Sequence, residues 1–478
     1  MIGSTHSVDL DFARRYIENH VDKRQVNKVQ HGFPSPRFWT ETEVPAEQIL
    51  EDREKVRSMG QSSATYLYIG VPYCLKTDPG KCGYCLFPVE DFVGNAELEA
   101  YFSYVKREAA MYREGLRGQT LAGVYFGGGT SNLYKAPMYL ELMELVHVLF
   151  PTVPPEADIT LEGIPQLFTR DKIAKIKESG MNRISMGVQQ INERLNSLSG
   201  RRQTTKHVVH TLEWAREYGL ACNVDLIFGW PQQTVSTMVK DLETVISWGV
   251  CDITHYELNV GGPTDFALNR YHELPSTLRN LEMYRVACDL LKSHGYEQLT
   301  SYNWRKPGDE AGRPFIETAT QDFDRTDIMG VGYAAITFFG NVALEDGRAW
   351  SFMNWRNLQE YKTAIDQGRF PIERGFCHER EDLQMLLIFR SIFGLRLNRG
   401  LYRSAFGVDV YDQFDAVWDA LEEWGFVDVT PEEICVKGDG GFYTPLIQTL
   451  LAEKRYRELR QRLVDGVKRV QLPVMSAS

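Results

Sequence analysis

The sequence is short of positive charge: 53 lysines and arginines stand against 64 aspartates and glutamates, a net −11 over 478 residues. No basic block interrupts that balance, so a general affinity for nucleic-acid backbone or anionic membrane is not expected. Long apolar runs are also missing. Stretches such as 334–339 and 385–389 fall far below the roughly 20 residues of a spanning helix. Residues 1–15 lack the charged-then-apolar pattern of a secretory signal, and a cytoplasmic location is expected. Cysteine is scarce at eight residues, which in a long, unexported chain argues against a disulfide framework. Five of them, Cys222, Cys251, Cys288, Cys377 and Cys435, stand singly and read as small buried hydrophobes. No G-x-G-x-x-G opens a helix after the first strand candidate, so the fingerprint of a dinucleotide-binding sheet is absent.

What is present is an ample core, 43% apolar residues, and a regular alternation. Short β-branched or apolar runs recur at 65–71, 123–126, 158–162, 183–187, 221–228 and 252–259. Helical periodicity fills the intervals 97–115, 138–150, 169–179, 204–218 and 234–248. Six strands separated by helices demand parallel pairing. A full eight-fold barrel takes about 250 residues, and the alternation covers roughly two hundred, so an incomplete (β/α)6 barrel is predicted, with its chemistry at the C-terminal ends of the strands. The divisions read along the chain are a leader or cover segment, 1–60; the barrel, 61–275; a barrel extension and bridge, 276–375; a compact, mostly helical C-terminal domain, 376–465; and a loose tail, 466–478.

The remaining three cysteines lie within twelve residues, Cys74, Cys82 and Cys85, directly after the first strand. Three thiolates on one strand-to-helix loop suit an iron–sulfur cluster that keeps one iron free, because four-cysteine ligation is the norm for a closed cluster. Other polar or special residues fall at the following strand ends: Gly127, Gly128, Gly129 and Thr130 after the second, Glu162 at the third, Gln189 after the fourth, and Asp225 within the fifth.

The cysteine loop, the Gly127–Thr130 turn and the segments Ile184–Gln189, Asn223–Pro231 and Asp327–Gly332 together resemble the radical S-adenosylmethionine (radical SAM) superfamily, in its branch around oxygen-independent coproporphyrinogen dehydrogenase and the HemW-type proteins. The resemblance runs from about Tyr66 to Leu450. It implies a [4Fe–4S] cluster on Cys74, Cys82 and Cys85, with SAM chelating the fourth iron and yielding a 5′-deoxyadenosyl radical on reduction. It further implies Gly127–Gly129 and Thr130 against the SAM amino group, Glu162 on the ribose hydroxyls, Arg201 or its neighbour Arg202 on the carboxylate, and Gln189 and Asp225 lining the site. Tyr68, six residues before Cys74, matches a tyrosine near cluster and SAM. Tyr68 and Asp225 are the candidate catalytic side chains. An external electron donor of the flavodoxin or ferredoxin type and a small-molecule substrate are the implied partners.

The departures from that pattern are as informative. Seven residues, Leu75–Lys81, separate the first two cysteines where the family has three; Gly70 replaces a histidine, Ser131 a proline, and no further cysteine closely follows Cys85. The His-Asn-x-x-Tyr-Trp element of the heme chaperones is absent from 317–327. These absences favour a specialised branch that holds two SAM molecules and performs class C methylation or cyclopropanation at an unsaturated or aromatic carbon. Porphyrin or heme chemistry is the alternative reading, and a non-catalytic heme-trafficking protein the third. His207 and His210 are read as helix-surface residues. Tyr302, Asn303 and Trp304 are read as either substrate-facing or core.

Overall fold

The computed structural model describes residues 8–25, 32–59, 64–308, 326–340 and 349–471. Its centre is a run of parallel strands in sequence order: β1 (Ala64–Val71), β2 (Leu121–Gly128), β3 (Asp158–Gly163), β4 (Arg183–Gln189), β5 (Ala221–Phe228) and β6 (Asp252–Glu257). Strands rich in Val, Ile, Tyr and Phe form here because both faces are covered, one by helices and one by the barrel interior. Two of the crossover helices start at a threonine that satisfies an orphan N–H. Thr169 accepts from Lys172 N at 3.3 Å, and Thr234 accepts from Thr237 N at 3.2 Å.

At the far edge β6 pairs antiparallel with β8 (Asn303–Arg305), which pairs with β7 (Glu297–Gln298). At the near edge β1 pairs in parallel with β9 (Thr326–Gly332), then β10 (Ile336–Gly340), β11 (Ala349–Asn354) and β12 (Ile372–Cys377) follow antiparallel. The twelve strands form one sheet whose ends do not meet, so the expected partial (β/α)6 barrel is present and extended on both sides. Two glycines of β9 have no room for a side chain: a Cβ on Gly332, paired with Gly70 of β1, would sit 2.6 Å from Gly70 O, and one on Gly330 would sit 2.6 Å from Ile336 O of β10.

Three local expectations are corrected. The leader is not irregular throughout: Ala46–Ser58 is a helix, and its Arg53 reaches the buried Asp327. The C-terminal domain, expected to be mostly helical, also holds a small sheet to which Glu433–Val436 contributes a strand, followed by the helix Thr444–Leu451. The last helix runs Glu453–Gln471, past the expected start of the tail at 466; the rest of that tail, 472–478, and residues 317–325 lie outside the described residues. The C-terminal region packs through the helix Arg380–Phe393, buried continuously from Gln384 to Phe393. No described helix is long and apolar enough to cross a membrane.

Candidate active site

The cysteine loop leaves β1 through a two-residue strand, Tyr73–Cys74, paired with Glu90–Asp91. A turn closed by Cys85 N to Cys82 O, 2.9 Å, holds the second and third cysteines together. Gly83 donates to Ser199 O at 3.0 Å and accepts from Phe266 N at 2.9 Å, so the loop is clamped between the segment after β4 and the loop after β6. The added residues make their own turn, in which Thr77 Oγ1 donates to Pro79 O at 2.6 Å. Gly200, at φ +83°, lets the chain pass under this turn, since a Cβ there would lie 2.7 Å from Asp78 O.

Cys74, Cys82 and Cys85 line one cavity of about 270 Å3 together with Gly128, Gly129, Thr130, Glu162, Gln189, Arg201 and Arg202. Thr130 Oγ1 donates to Cys74 Sγ at 3.3 Å, and Arg201 Nη1 reaches Cys82 Sγ at 3.8 Å and Tyr84 Oη at 3.3 Å. Burial pushes the Cys74 thiol up to about 12 and raises Cys85 as well. Such thiols ionise only against a cation, which is what a metal cluster supplies. Among the described residues no three acidic, cysteine or histidine side chains converge tightly enough for a single metal ion. Three cysteines spaced round a cavity fit a group larger than one ion.

Behind this chamber lies the barrel interior, a cavity of about 590 Å3. The two cavities share three lining residues, Gly128, Glu162 and Gln189. Gln189 has φ +69°, uncommon for a residue with a side chain, and its Oε1 is buried without a hydrogen-bond partner. Backbone strain and an orphaned acceptor coincide where the chambers meet. The Glu162 carboxyl is pushed up to about 8 by burial, with Asp225 adding to the effect, and Asp225 is pushed up to about 6 by burial. Asp225 accepts from Asn223 Nδ2 at 2.7 Å and Ser185 Oγ at 3.3 Å. Tyr68 stands across from them, stacked with Tyr125 at 6.2 Å between ring centres.

At the opposite end of the lumen, the floor is an ion-pair lattice. Arg183 pairs with Asp158 at 3.1 Å and with Asp252, and Arg305 pairs with Asp252 at 2.9 Å.

Every residue singled out at a strand end lines one of the two cavities except Gly127, which packs against Tyr125 and Glu162 just behind the wall. Two of the three glycines are required by the protein's own backbone as well: Cβ atoms on Gly128 and Gly129 would meet Val71 O at 2.7 Å and Tyr73 O at 2.5 Å. Of the two arginines, Arg201 is the one turned onto the cysteine loop; Arg202 lines the same cavity without a hydrogen bond to it. His207 is neither a ligand nor idle, for its Nδ1 accepts from Thr204 N at 3.0 Å and caps the helix Thr205–Glu217. Tyr302 is core, wholly buried, whereas Asn303 and Trp304 face the lumen. Tyr125, Ser185, Asn223, Thr254 and Tyr256 were not singled out. Their signal is the alternation of polar residues, 158/160/162, 183/185, 223/225 and 252/254/256, which puts them all on the inner face.

The radical SAM superfamily description matches residues 79–245. The oxygen-independent coproporphyrinogen III oxidase of Helicobacter pylori is 24% identical over 421 residues, 83% of this chain and 88% of that protein. The heme chaperone HemW of Escherichia coli is 26% identical over 283 residues, 59% of this chain and 71% of that one. The solved structure of Escherichia coli coproporphyrinogen III oxidase superposes with a TM-score of 0.75 at 22% identity, covering 90% of this chain and 99% of that one, a likeness of fold. The chain therefore carries a radical SAM domain, which implies a [4Fe–4S] cluster and SAM, and it is similar to coproporphyrinogen oxidases and a heme chaperone.

Proposed function

We propose that this radical SAM enzyme oxidises a small organic substrate held in the barrel lumen, with chemistry closer to that named for its coproporphyrinogen oxidase relatives than to methyl transfer. The observation that carries the reading is the pair of adjoining cavities, one walled by three cysteines and the other by polar inner-face residues, sharing Gly128, Glu162 and Gln189. When bound and reduced, the cluster with SAM supplies a carbon-centred radical able to take a hydrogen atom from carbon. Cys74, Cys82 and Cys85 would hold the cluster. Arg201 offers a cation for the SAM carboxylate, Glu162 two acceptor oxygens for ribose hydroxyls, Thr130 a hydroxyl, and Gln189 Oε1 an acceptor for a donor group. Tyr68, kept protonated by burial, donates into the lumen, and Asp225, near 6, can hold or release a proton at neutral pH. Gly127–Gly129 let these walls approach each other. The division into leader, barrel, bridge and C-terminal domain belongs to the same reading, as do a flavodoxin-type electron donor and a site that does not engage nucleic acid.

A second reading is favoured by one feature. Glu162 and Asp225 give the lumen mouth two carboxyls without a basic partner in hydrogen-bond contact, which suits a second, cationic SAM and hence methyl or methylene transfer. Products separate the readings. Anaerobic turnover of the reconstituted enzyme with SAM, reductant and coproporphyrinogen III should yield 5′-deoxyadenosine and methionine together with loss of carbon dioxide from the substrate. Equal amounts of 5′-deoxyadenosine and S-adenosylhomocysteine would replace oxidation by methyl transfer, and tight heme binding with no SAM cleavage would leave the trafficking role.

A further inference from the structure

The N-terminal ends of the strands, remote from the cysteine loop, carry two thiols for which the chemistry above has no use. Asn223 of β5 is paired with Asp252 of β6, and both line the lumen. One residue earlier stand Cys222 of β5 and Cys251, the residue just before β6; the two are near enough to interact electrostatically, and strand alternation turns Cys222 away from the lumen. Both line an open cavity of about 570 Å3 walled on its other side by Leu212, Arg216 and Gly219. Contrary to the expectation of buried hydrophobes, neither is fully buried, and neither is in a disulfide. Neighbouring strands about 4.8 Å apart hold paired Cα atoms inside the roughly 4.4–6.8 Å that a disulfide spans.

We propose that Cys222 and Cys251 form a dithiol site that exchanges with low-molecular-weight disulfides of the oxidised-glutathione type and closes to a cross-strand disulfide. Cys251 Sγ, 4.0 Å from Gly249 O at the exposed end of the cavity, loses its proton to water and attacks one sulfur of the small disulfide. That S–S bond breaks, and the other half leaves as a thiolate that takes up a proton. Cys222 Sγ, deprotonated in turn, attacks Cys251 Sγ in the mixed disulfide and expels the second small thiolate. Two protein thiols are oxidised by two electrons and one small disulfide is reduced to two thiols. Burial raises the Cys222 thiol, which fits the slower, resolving role. Asp252 follows Cys251 directly and anchors Arg183 and Arg305, so closure acts on the floor of the lumen.

The test uses the full chain with its cluster, incubated anaerobically with oxidised glutathione, alkylated, and digested with trypsin without reduction. Lys240 lies between the two cysteines, so a disulfide joins peptides 217–240 and 241–270. The expected result is that joined pair, formed while the cluster's visible absorption is unchanged; it is missing in Cys251→Ser, and Cys222→Ser stops at glutathione on Cys251. Recovery of both cysteines alkylated, glutathione on each without a link, or a link that appears only as the cluster absorption falls would overturn the proposal.

Discussion

The two ends of the barrel lumen use buried carboxyls to opposite effect. At the floor, Asp158 and Asp252 meet Arg183 and Arg305, and each carboxylate has a guanidinium within ion-pair distance. At the mouth, Glu162, four residues further along β3, and Asp225 of β5 have no such cation among the described residues; their carboxyls rise, and Gln189 beside them keeps a buried acceptor unpaired. A floor with every charge matched closes the barrel. A mouth with unmatched groups stores the interactions that a ligand completes.

The largest effect should come from the mouth's outer chamber. Replacing Cys74, Cys82 or Cys85 by Ala is expected to abolish the visible absorption of the reconstituted cluster and all SAM cleavage, while Cys435→Ala, in the C-terminal sheet, keeps both. The floor should respond in stability. Arg183→Ala takes its guanidinium from the buried Asp158 and leaves Asp252 with Arg305, expected to cost about 3–5 kcal/mol of folding free energy, read by denaturant unfolding. Glu162→Gln removes charge-assisted hydrogen bonds to a ligand, each of about 1.5–3 kcal/mol, so SAM affinity measured by calorimetry should fall roughly 10- to 100-fold with little change in Tm.

Glu162 also predicts a pH dependence of the protein without SAM. Its carboxyl is raised to about 8, so the folded state holds a proton that the unfolded state releases at ordinary carboxylate pH. Stability contributed by this group is present below about pH 4.5 and is lost as pH rises toward 8. Tm should therefore decline more steeply between pH 5 and 8 in the parent than in Glu162→Gln. The smallest effect is expected for Arg202→Ala, which should leave SAM affinity nearly unchanged where Arg201→Ala weakens it.

The floor and mouth were not equally legible in the sequence. The mouth could be found because its cysteines, glycines, Glu162 and Gln189 sit at strand ends, where sequence order and site coincide. The floor is written in the sequence as polar residues two apart within β3 to β6, a pattern easily passed over because parallel strands are expected to be apolar throughout. The pairing of β9 with β1 joins residues more than 250 positions apart, and no local pattern carries that register. Residues 466–471, the end of the helix Glu453–Gln471, read as tail because the sequence there carries no sustained apolar periodicity. Nor does the spacing of Leu75–Lys81 show that Gly200 passes beneath its turn, a contact made between loops of two different strands.

The most direct test of the account is reductive SAM cleavage by the reconstituted enzyme under anaerobic conditions, measured as 5′-deoxyadenosine. The account predicts accumulation in the parent chain, none in Cys82→Ala, and a strong reduction in Glu162→Gln. A parent enzyme that carries a full cluster, binds SAM and yet forms no 5′-deoxyadenosine, with or without coproporphyrinogen III, would contradict it.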